Sequence, residues 1–167
     1  MRLIAAQFLC LLTLIVPNFG YGQNAPVVVE LFSSQGCSSC PPADEYLVEL
    51  AQKRDIIALG WHVDYWDYIG WEDVFAHPAF TERQKAYARA LNERMIYTPQ
   101  FIVNGVESSV AGQRAEVAAL IQKYGQLAPG ADLSIRRMGT SYEITLQNAY
   151  SSGPYDVHLV GVSPLET

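Results

Sequence analysis

The chain has 167 residues, half of them hydrophobic, and a formal net charge of −6 at pH 7. A chain of this size can bury one good core. The acidic balance and the lack of a basic patch argue against nucleic-acid binding. Beyond the first 22 residues, no apolar run of the sequence is long enough to cross a membrane.

Residues 1–22 have the three-part layout of a secretory signal peptide. Arg2 supplies a positive start, residues 3–16 form an apolar run, and Gly20 and Gly22 precede a cleavage point. The apolar run is shorter than the ~20 residues of a membrane anchor. We therefore expect a periplasmic or secreted protein with no membrane attachment after cleavage, in a compartment where disulfides persist.

Residues 23–126 are predicted to form one α/β domain. Hydrophobic periodicity predicts the order strand, helix, strand, helix, strand, strand, helix, near residues 27–32, 41–53, 56–63, 78–91, 101–103, 106–110 and 117–125. The early strand-helix-strand connections imply parallel strands, and the Asn104-Gly105 turn implies an antiparallel hairpin. We therefore predict a central mixed sheet flanked by helices.

The pattern changes at residue 131, after a Leu-Ala-Pro-Gly linker. Short alternating strands are predicted at residues 133–136, 142–146 and 155–162. Three short strands make little core by themselves. We expect residues 131–167 to form a β-rich C-terminal segment that docks on the first domain or belongs to something larger.

Cys37 and Cys40 form a CxxC motif and are the only cysteines after the signal peptide. The preceding strand and loop place Cys37 at a helix N-terminus, where backbone N–H groups and the helix dipole stabilise a thiolate. Redox catalysis also needs the first cysteine to be exposed. An inert structural bridge and a metal site stay open as alternatives, although a zinc site would normally add a second Cys/His pair.

Thr98 and Pro99 precede the third predicted strand. If that strand is antiparallel to the first, its start lies at the same edge of the sheet as Cys37 and Cys40. We then expect a cis Pro99 that exposes the backbone of Thr98 to an extended partner chain. The alternative is an ordinary trans proline at a strand start.

Several unusual motifs occur in order along the chain: VELFSSQGCSSCPPAD at 29–44, HVDYWDYIGW at 62–71, Arg83-Gln84, and YTPQ at 97–100. Together they resemble a bacterial family of exported thioredoxin-like proteins, known as a domain of unknown function (number twelve twenty-three of that series). The resemblance covers residues 26–124 and implies a thioredoxin-like domain without an established activity. Family members usually continue with more β-structure, including a Gly-Glu-Asn stretch, so it also implies that residues 131–167 are a truncated module.

Two polar residues next to the motif are candidate site residues. Thioredoxin carries a buried acid beneath its second cysteine, and by resemblance Glu30 would accept the proton of Cys40. The alternative is a glutamate at a strand edge, hydrogen-bonded to a loop. His62 ends the second strand, where it would tune the Cys37 thiolate or bind a metal. The alternative is a histidine that is simply satisfied by hydrogen bonds.

Our leading hypothesis is a thiol–disulfide oxidoreductase, without a cofactor, that acts on protein thiols or disulfides in the exported compartment. Asp44 follows the cysteine pair closely and no basic residue flanks it, which favours an ordinary thiol over a strong oxidant. The alternatives are a periplasmic copper-binding protein or metallochaperone that uses Cys37, Cys40 and His62, and a binding module with a fixed disulfide. The aromatic run at 61–75 is either a platform for a polypeptide or a set of core anchors.

Overall fold

The computed structural model describes residues 25–110, 113–127, 130–147, 149 and 157–162, so the predicted signal peptide lies outside the described residues. The elements are β1 (Val27–Ser33), α1 (Pro41–Ala51), β2 (Ile56–His62), a 3-10 turn (Asp67–Ile69), α2 (Pro78–Ala90), β3 (Gln100–Val103), β4 (Glu107–Val110), α3 (Arg114–Gly125), β5 (Asp132–Met138) and β6 (Ser141–Gln147). Up to α3 they follow the predicted order. No helix within these described residues is long and apolar enough to cross a membrane.

The first four strands form one mixed sheet in the order β2-β1-β3-β4. β1 is parallel to β2 and antiparallel to β3, and β3 is antiparallel to β4. The turn between β3 and β4 uses Asn104 and Gly105, both at positive φ, as the Asn-Gly sequence predicts. The prediction of an α/β fold with a mixed sheet is confirmed, and this arrangement is consistent with a thioredoxin-like core.

An apolar cluster fills the space between one face of the sheet and helices α1 and α3. β1 contributes Val29 and Leu31, and β3 contributes Phe101. Leu50 of α1 and Val117 of α3 pack against them, and all five side chains are fully buried. Because burying one such side chain contributes ~1.5–3 kcal/mol, this cluster is a main source of stability.

The opposite face of the sheet packs against α2. Phe32, Trp61 and Ile102 form its buried cluster, with Phe80 and Tyr87 of α2 partly buried against them. Successive side chains of a strand point to opposite faces, so β1 serves both layers with alternate residues. This central position lets β1 carry the loop to Cys37 from the most buried part of the domain.

The C-terminal part is a two-stranded hairpin, β5–β6, as predicted for its first two strands. The prediction of a third strand at residues 155–162 is wrong for the part of that range that the structure describes, because residues 157–162 have no strand structure. A strand needs a hydrogen-bonded partner, and among the described residues none pairs with this segment. Residues 155 and 156 lie outside the described part of the chain.

Candidate functional site

Three segments of the chain meet at one edge of the main sheet, the one where β1 and β2 end and β3 begins. β1 ends at Ser33, which is in register with His62 at the end of parallel β2. Antiparallel β3 begins at Gln100, opposite Phe32. The loop to the cysteines, the segment 63–77 and the Thr98–Pro99 peptide therefore leave the sheet at the same edge. This confirms the strand directions on which the predicted site depended.

Cys37 and Cys40 are joined by a disulfide at the start of α1. Cys40 is the residue before Pro41, and its carbonyl oxygen accepts hydrogen bonds from the first turn of the helix. The backbone N–H of Cys37 donates to the carbonyl of Ser34 at 3.1 Å. The dithiol thus lies where the helix dipole favours negative sulfur.

The expectation that the first cysteine is exposed is wrong for the disulfide form. Cys37 is 3% exposed and Cys40 is fully buried. The hydroxyl of Ser39 lies 3.5 Å from the Cys37 sulfur. Of the two sulfur-bearing residues, Cys37 is the one with any exposure, so a partner reaches it first.

Trp66 connects the cysteine loop to the start of β3. Its indole N–H donates to the hydroxyl of Thr98 at 2.8 Å, and the Thr98–Pro99 bond is cis, the isomer that we favoured. Trp66 also packs against the cysteine loop: a Cβ placed on Gly36 would lie 3.0 Å from the Cβ of Trp66 and 3.1 Å from Ile69. A side chain at position 36 would require Trp66 or Ile69 to shift by a few tenths of an ångström.

Gln84 of α2 positions the segment that carries Thr98 and Pro99. This side chain is fully buried, and its Nε2 donates to the carbonyl of Tyr97 at 2.7 Å and to Gln100 at 2.8 Å. Buried polar groups keep their hydrogen bonds because leaving one unpaired costs ~1–3 kcal/mol. Gln84 therefore holds this edge of the site against α2.

Glu30 lies on the α2 face of the sheet, almost fully buried. Arg83 donates to its two oxygens at 2.6 and 2.9 Å, Trp61 Nε1 donates at 2.7 Å, and the hydroxyl of Tyr87 also donates to it. Through these hydrogen bonds Glu30 raises the pKa of Arg83 above its ordinary value. The pKa of Tyr87 is raised mainly by burial and secondly by its contact with the same carboxylate.

These contacts correct one interpretation of Glu30 and give no support to the other. β1 lies between β2 and β3, so the strand-edge interpretation is wrong. α1, which begins after Cys40, packs on the opposite face of the sheet. No hydrogen bond found in the described part of the chain joins Glu30 to Cys40, and its role as proton acceptor stays a prediction.

Asp73 ties the segment 63–77 to the cysteine loop. Its carboxylate accepts the backbone N–H of Gln35 at 2.7 Å and that of Phe75 at 2.9 Å, and it is hydrogen-bonded to His62 Nδ1 at 2.7 Å. Burial acts to raise the pKa of Asp73, but these hydrogen bonds outweigh it and lower the pKa below its ordinary value. This contact agrees with the interpretation of His62 as a histidine satisfied by hydrogen bonds; its tuning of Cys37 stays a prediction.

Asp44, in the first turn of α1, is a carboxyl group whose pKa is raised above its ordinary value. Burial raises the pKa of Asp44 and the nearby Asp73 carboxylate adds to it, against the lowering influence of Ser33 and His62. Asp44, Ser33 and His62 line a cavity of about 600 Å³ that follows the edge strand β2. Asp44 can therefore hold a proton close to the start of the cysteine helix at a higher pH than an ordinary aspartate.

Sequence reasoning did not single out Trp66, Asp73 or Gln84 as parts of the site. Trp66 was one of several aromatic residues and Asp73 one of several acids in the same stretch. The available signal was their position in or next to the motifs at 62–71 and 83–84. Their partners are far away in the sequence, so local patterns could not reveal them.

The alternative metal site is not assembled in this form. Cys37 and Cys40 are bonded to each other, and Nδ1 of His62 is occupied by Asp73. Within the ranges that the structure describes, no group of three or more His, Cys, Asp or Glu side chains is placed to hold a metal ion. A copper site would require the disulfide to open; the bond of His62 Nδ1 to Asp73 does not itself exclude coordination, because the imidazole has a second ring nitrogen.

Comparisons with known proteins show one family and one solved structure. The X-ray crystal structure of a protein from Agrobacterium tumefaciens is similar to this chain, with a TM-score of 0.66 and 42% identity. The match covers 74% of this chain and 57% of that one, so this chain spans little more than half of the bacterial protein. No curated protein matches. Because the model of the family described as a protein of unknown function (DUF1223) matches residues 28–167, the chain belongs to that family.

Proposed function

We propose that this protein is a thiol–disulfide oxidoreductase of an exported compartment. The observation that carries the proposal is the Cys37–Cys40 disulfide at the N-terminus of α1, at the same sheet edge as Thr98 and Pro99. A dithiol at a helix N-terminus has its thiolate stabilised by backbone N–H groups and the helix dipole. The layout of residues 1–22 supports export, where such a disulfide persists.

The reaction proceeds by two exchanges of sulfur. In the reduced protein the Cys37 thiolate attacks a disulfide of the substrate, forms a mixed disulfide and releases one substrate thiolate. The Cys40 thiolate then attacks the Cys37 sulfur, forms the Cys37–Cys40 disulfide and releases the second substrate thiolate. Two electrons pass from the protein to the substrate, and a partner dithiol returns them by the same steps. The reverse direction oxidises a substrate dithiol.

The contacts around the pair support this order of attack. Cys40 is fully buried, so Cys37 is the accessible residue of the pair. Asp44, with its raised pKa, lies in the first turn of the helix that begins after Cys40 and can hold a proton there. Trp66 and Thr98 lie beside the cysteine loop. There a substrate chain would contact the protein.

The test is a trap of the mixed disulfide. Cys40→Ser removes the resolving sulfur, so we expect disulfide-linked substrate proteins on Cys37 in exported fractions, separated by non-reducing electrophoresis. Cys37→Ser is the matched control, and we expect it to trap none. In parallel, titration of the wild type against glutathione buffers should give a reduction midpoint within the range of redox-active disulfides.

The other outcomes identify the two alternatives. Tight Cu(I) binding that survives a chelator, with no trapped partners, would replace the proposal by a copper-binding protein. A disulfide that resists every reductant in the native protein would indicate a fixed bridge in a binding module. Each result rejects redox exchange through Cys37.

A further inference from the structure

Five large apolar side chains of the segment 63–77 are exposed to solvent. They are between 47% and 81% exposed and fall within a stretch of eight positions: Tyr68, Ile69, Trp71, Val74 and Phe75. We call this group the aromatic platform. Scattered exposed apolar residues are ordinary, but so many in one short segment are typical of an interaction surface.

The aromatic platform lies directly beside the cysteine loop. A Cβ on Gly36, the residue before Cys37, would lie 3.1 Å from Ile69. The indole N–H of Trp71 donates to the side-chain oxygen of Gln35 at 3.2 Å. The ring of Tyr68 stacks on Trp66, which is hydrogen-bonded to Thr98. A chain whose sulfur reaches Cys37 would therefore lie within reach of Tyr68, Ile69 and Trp71.

The charge around the aromatic platform selects among possible partners. Residues 64–77 contain four acids, Asp64, Asp67, Glu72 and Asp73, and no lysine or arginine. Asp73 is buried, but Glu72 is exposed and Asp64 and Asp67 are part-exposed in the same segment as the platform. A second copy of this chain, with its net charge of −6, would be repelled, and so would an anionic membrane surface. The complementary partner is a cationic one.

We propose that the apolar side chains of the aromatic platform bind an extended, cationic polypeptide and present that polypeptide's cysteine to Cys37. The proposal rests on the proposed exchange reaction and names its substrate class. Aromatic side chains on both partners supply most of the contact energy, and the surrounding carboxylates accelerate encounter and reject acidic chains. Glutathione disulfide, which is small and anionic, does not use this surface.

The binding test does not depend on redox chemistry. Three fluorescent peptides without cysteine are titrated into the full oxidised chain: alternating arginine and phenylalanine, glutamate and phenylalanine, and arginine and serine. We expect the first to bind about tenfold more tightly than the other two, with a preference over the acidic peptide that shrinks as salt is added. Equal binding of the acidic and cationic peptides would overturn the proposal.

Two matched double variants locate the surface. Tyr68→Ser with Val74→Ser removes two highly exposed side chains of the aromatic platform, and Leu133→Ser with Tyr142→Ser removes two from the β5–β6 hairpin. The platform variant should lose about tenfold in affinity for the cationic aromatic peptide, and the hairpin variant should bind as wild type does. Equal losses in both would contradict the assignment. Near-ultraviolet circular dichroism of each, and the single Tyr68→Ser variant, check that a loss of binding is not a loss of fold.

A kinetic comparison separates this proposal from the proposed function. The reduced chain is mixed with the cationic aromatic peptide as a disulfide, and separately with glutathione disulfide. We expect the ratio of the two rates to fall about tenfold in the platform variant. If the wild type binds the peptides selectively but exchanges with neither disulfide, the surface stands and the oxidoreductase fails. If it exchanges with both and the ratio is unchanged in the variant, the oxidoreductase stands and the surface fails.

Discussion

The two layers of the domain differ in what is buried beside their apolar side chains. Between the sheet and helices α1 and α3, the buried residues of β1 and β3 are apolar, with Leu31 and Phe101 at the centre. Between the sheet and α2, two buried polar side chains join the apolar cluster: Glu30 is bonded to Arg83, and Gln84 is bonded to the backbone of Tyr97. The first layer is held mainly by hydrocarbon contacts, whereas the second adds directional hydrogen bonds to such contacts.

The difference assigns stability to one layer and site geometry to the other. Apolar packing is non-directional and roughly proportional to buried area. Hydrogen bonds require particular atoms at particular distances. The bonds of Gln84, together with those of Asp73 to Gln35, hold the segments that surround the cysteines. We expect variants in the apolar layer to cost the most stability, and variants in the hydrogen-bonded framework to cost less stability and to change the site.

The largest effect is expected in the apolar layer. Phe101→Ala removes a fully buried ring that packs edge-on against Tyr46, and it should lower the free energy of unfolding by ~3–5 kcal/mol. Urea unfolding of the oxidised chain measures this loss. Val48→Ala, on the exposed side of α1, is the control and should change it by less than about 0.5 kcal/mol. A similar loss in both variants would refute the assignment of stability to this layer.

Breaking the ion pair of the α2 layer should have the next largest effect. Glu30→Ala leaves the indole N–H of Trp61 and the guanidinium of Arg83 without their acceptor. We expect a loss of about 2–3 kcal/mol, below that of a fully buried pair, because the Arg83 side chain is 35% exposed and can be rehydrated.

A double variant sharpens the meaning of that loss. Glu30→Leu with Arg83→Met replaces both charges by apolar side chains and should recover part of the stability, because no buried charge is left unpaired, whereas Trp61 and Tyr87 still lack their acceptor. Urea unfolding of the two variants in the same buffer gives the comparison. If the double variant is no more stable than Glu30→Ala, the ion pair contributes net stability and the interpretation of this layer must change.

The smallest effect, and the one that depends on pH, belongs to Asp73. Asp73→Asn weakens the contacts with Gln35 and His62 and should cost about 1.5 kcal/mol at pH 7, because the amide keeps one oxygen acceptor. The pKa of Asp73 lies below its ordinary 3.8 in the folded chain. The stabilisation by Asp73 is therefore fully present above the ordinary value of 3.8 and is lost as the pH falls through the lower pKa of the folded chain. Unfolding of wild type and variant from pH 7 to about pH 2 should show the difference closing at the acid end; a constant difference would contradict this role.

Sequence reasoning predicted more of the fold than of the site. The order of elements up to α3, the parallel and antiparallel pairing, the Asn104-Gly105 turn and the common edge for Cys37 and Pro99 were all predictable. Each depends on local periodicity, on turn chemistry or on the short list of connections that strands allow. The strand predicted at 155–162 failed in its described part because strand formation depends on a partner, which local alternation does not specify.

The site contacts needed tertiary structure because their partners are distant in the sequence. Glu30 and Arg83 are separated by 53 residues, Gln35 and Asp73 by 38, and Trp66 and Thr98 by 32. The composition of each short stretch is compatible with many partners, so it could not choose among them. By itself the sequence determined a dithiol at the start of a helix after a buried central strand, because those features follow from spacing and hydrophobic pattern. Which side chains surround the dithiol, and on which face of the sheet Glu30 lies, were decided only when the helices packed.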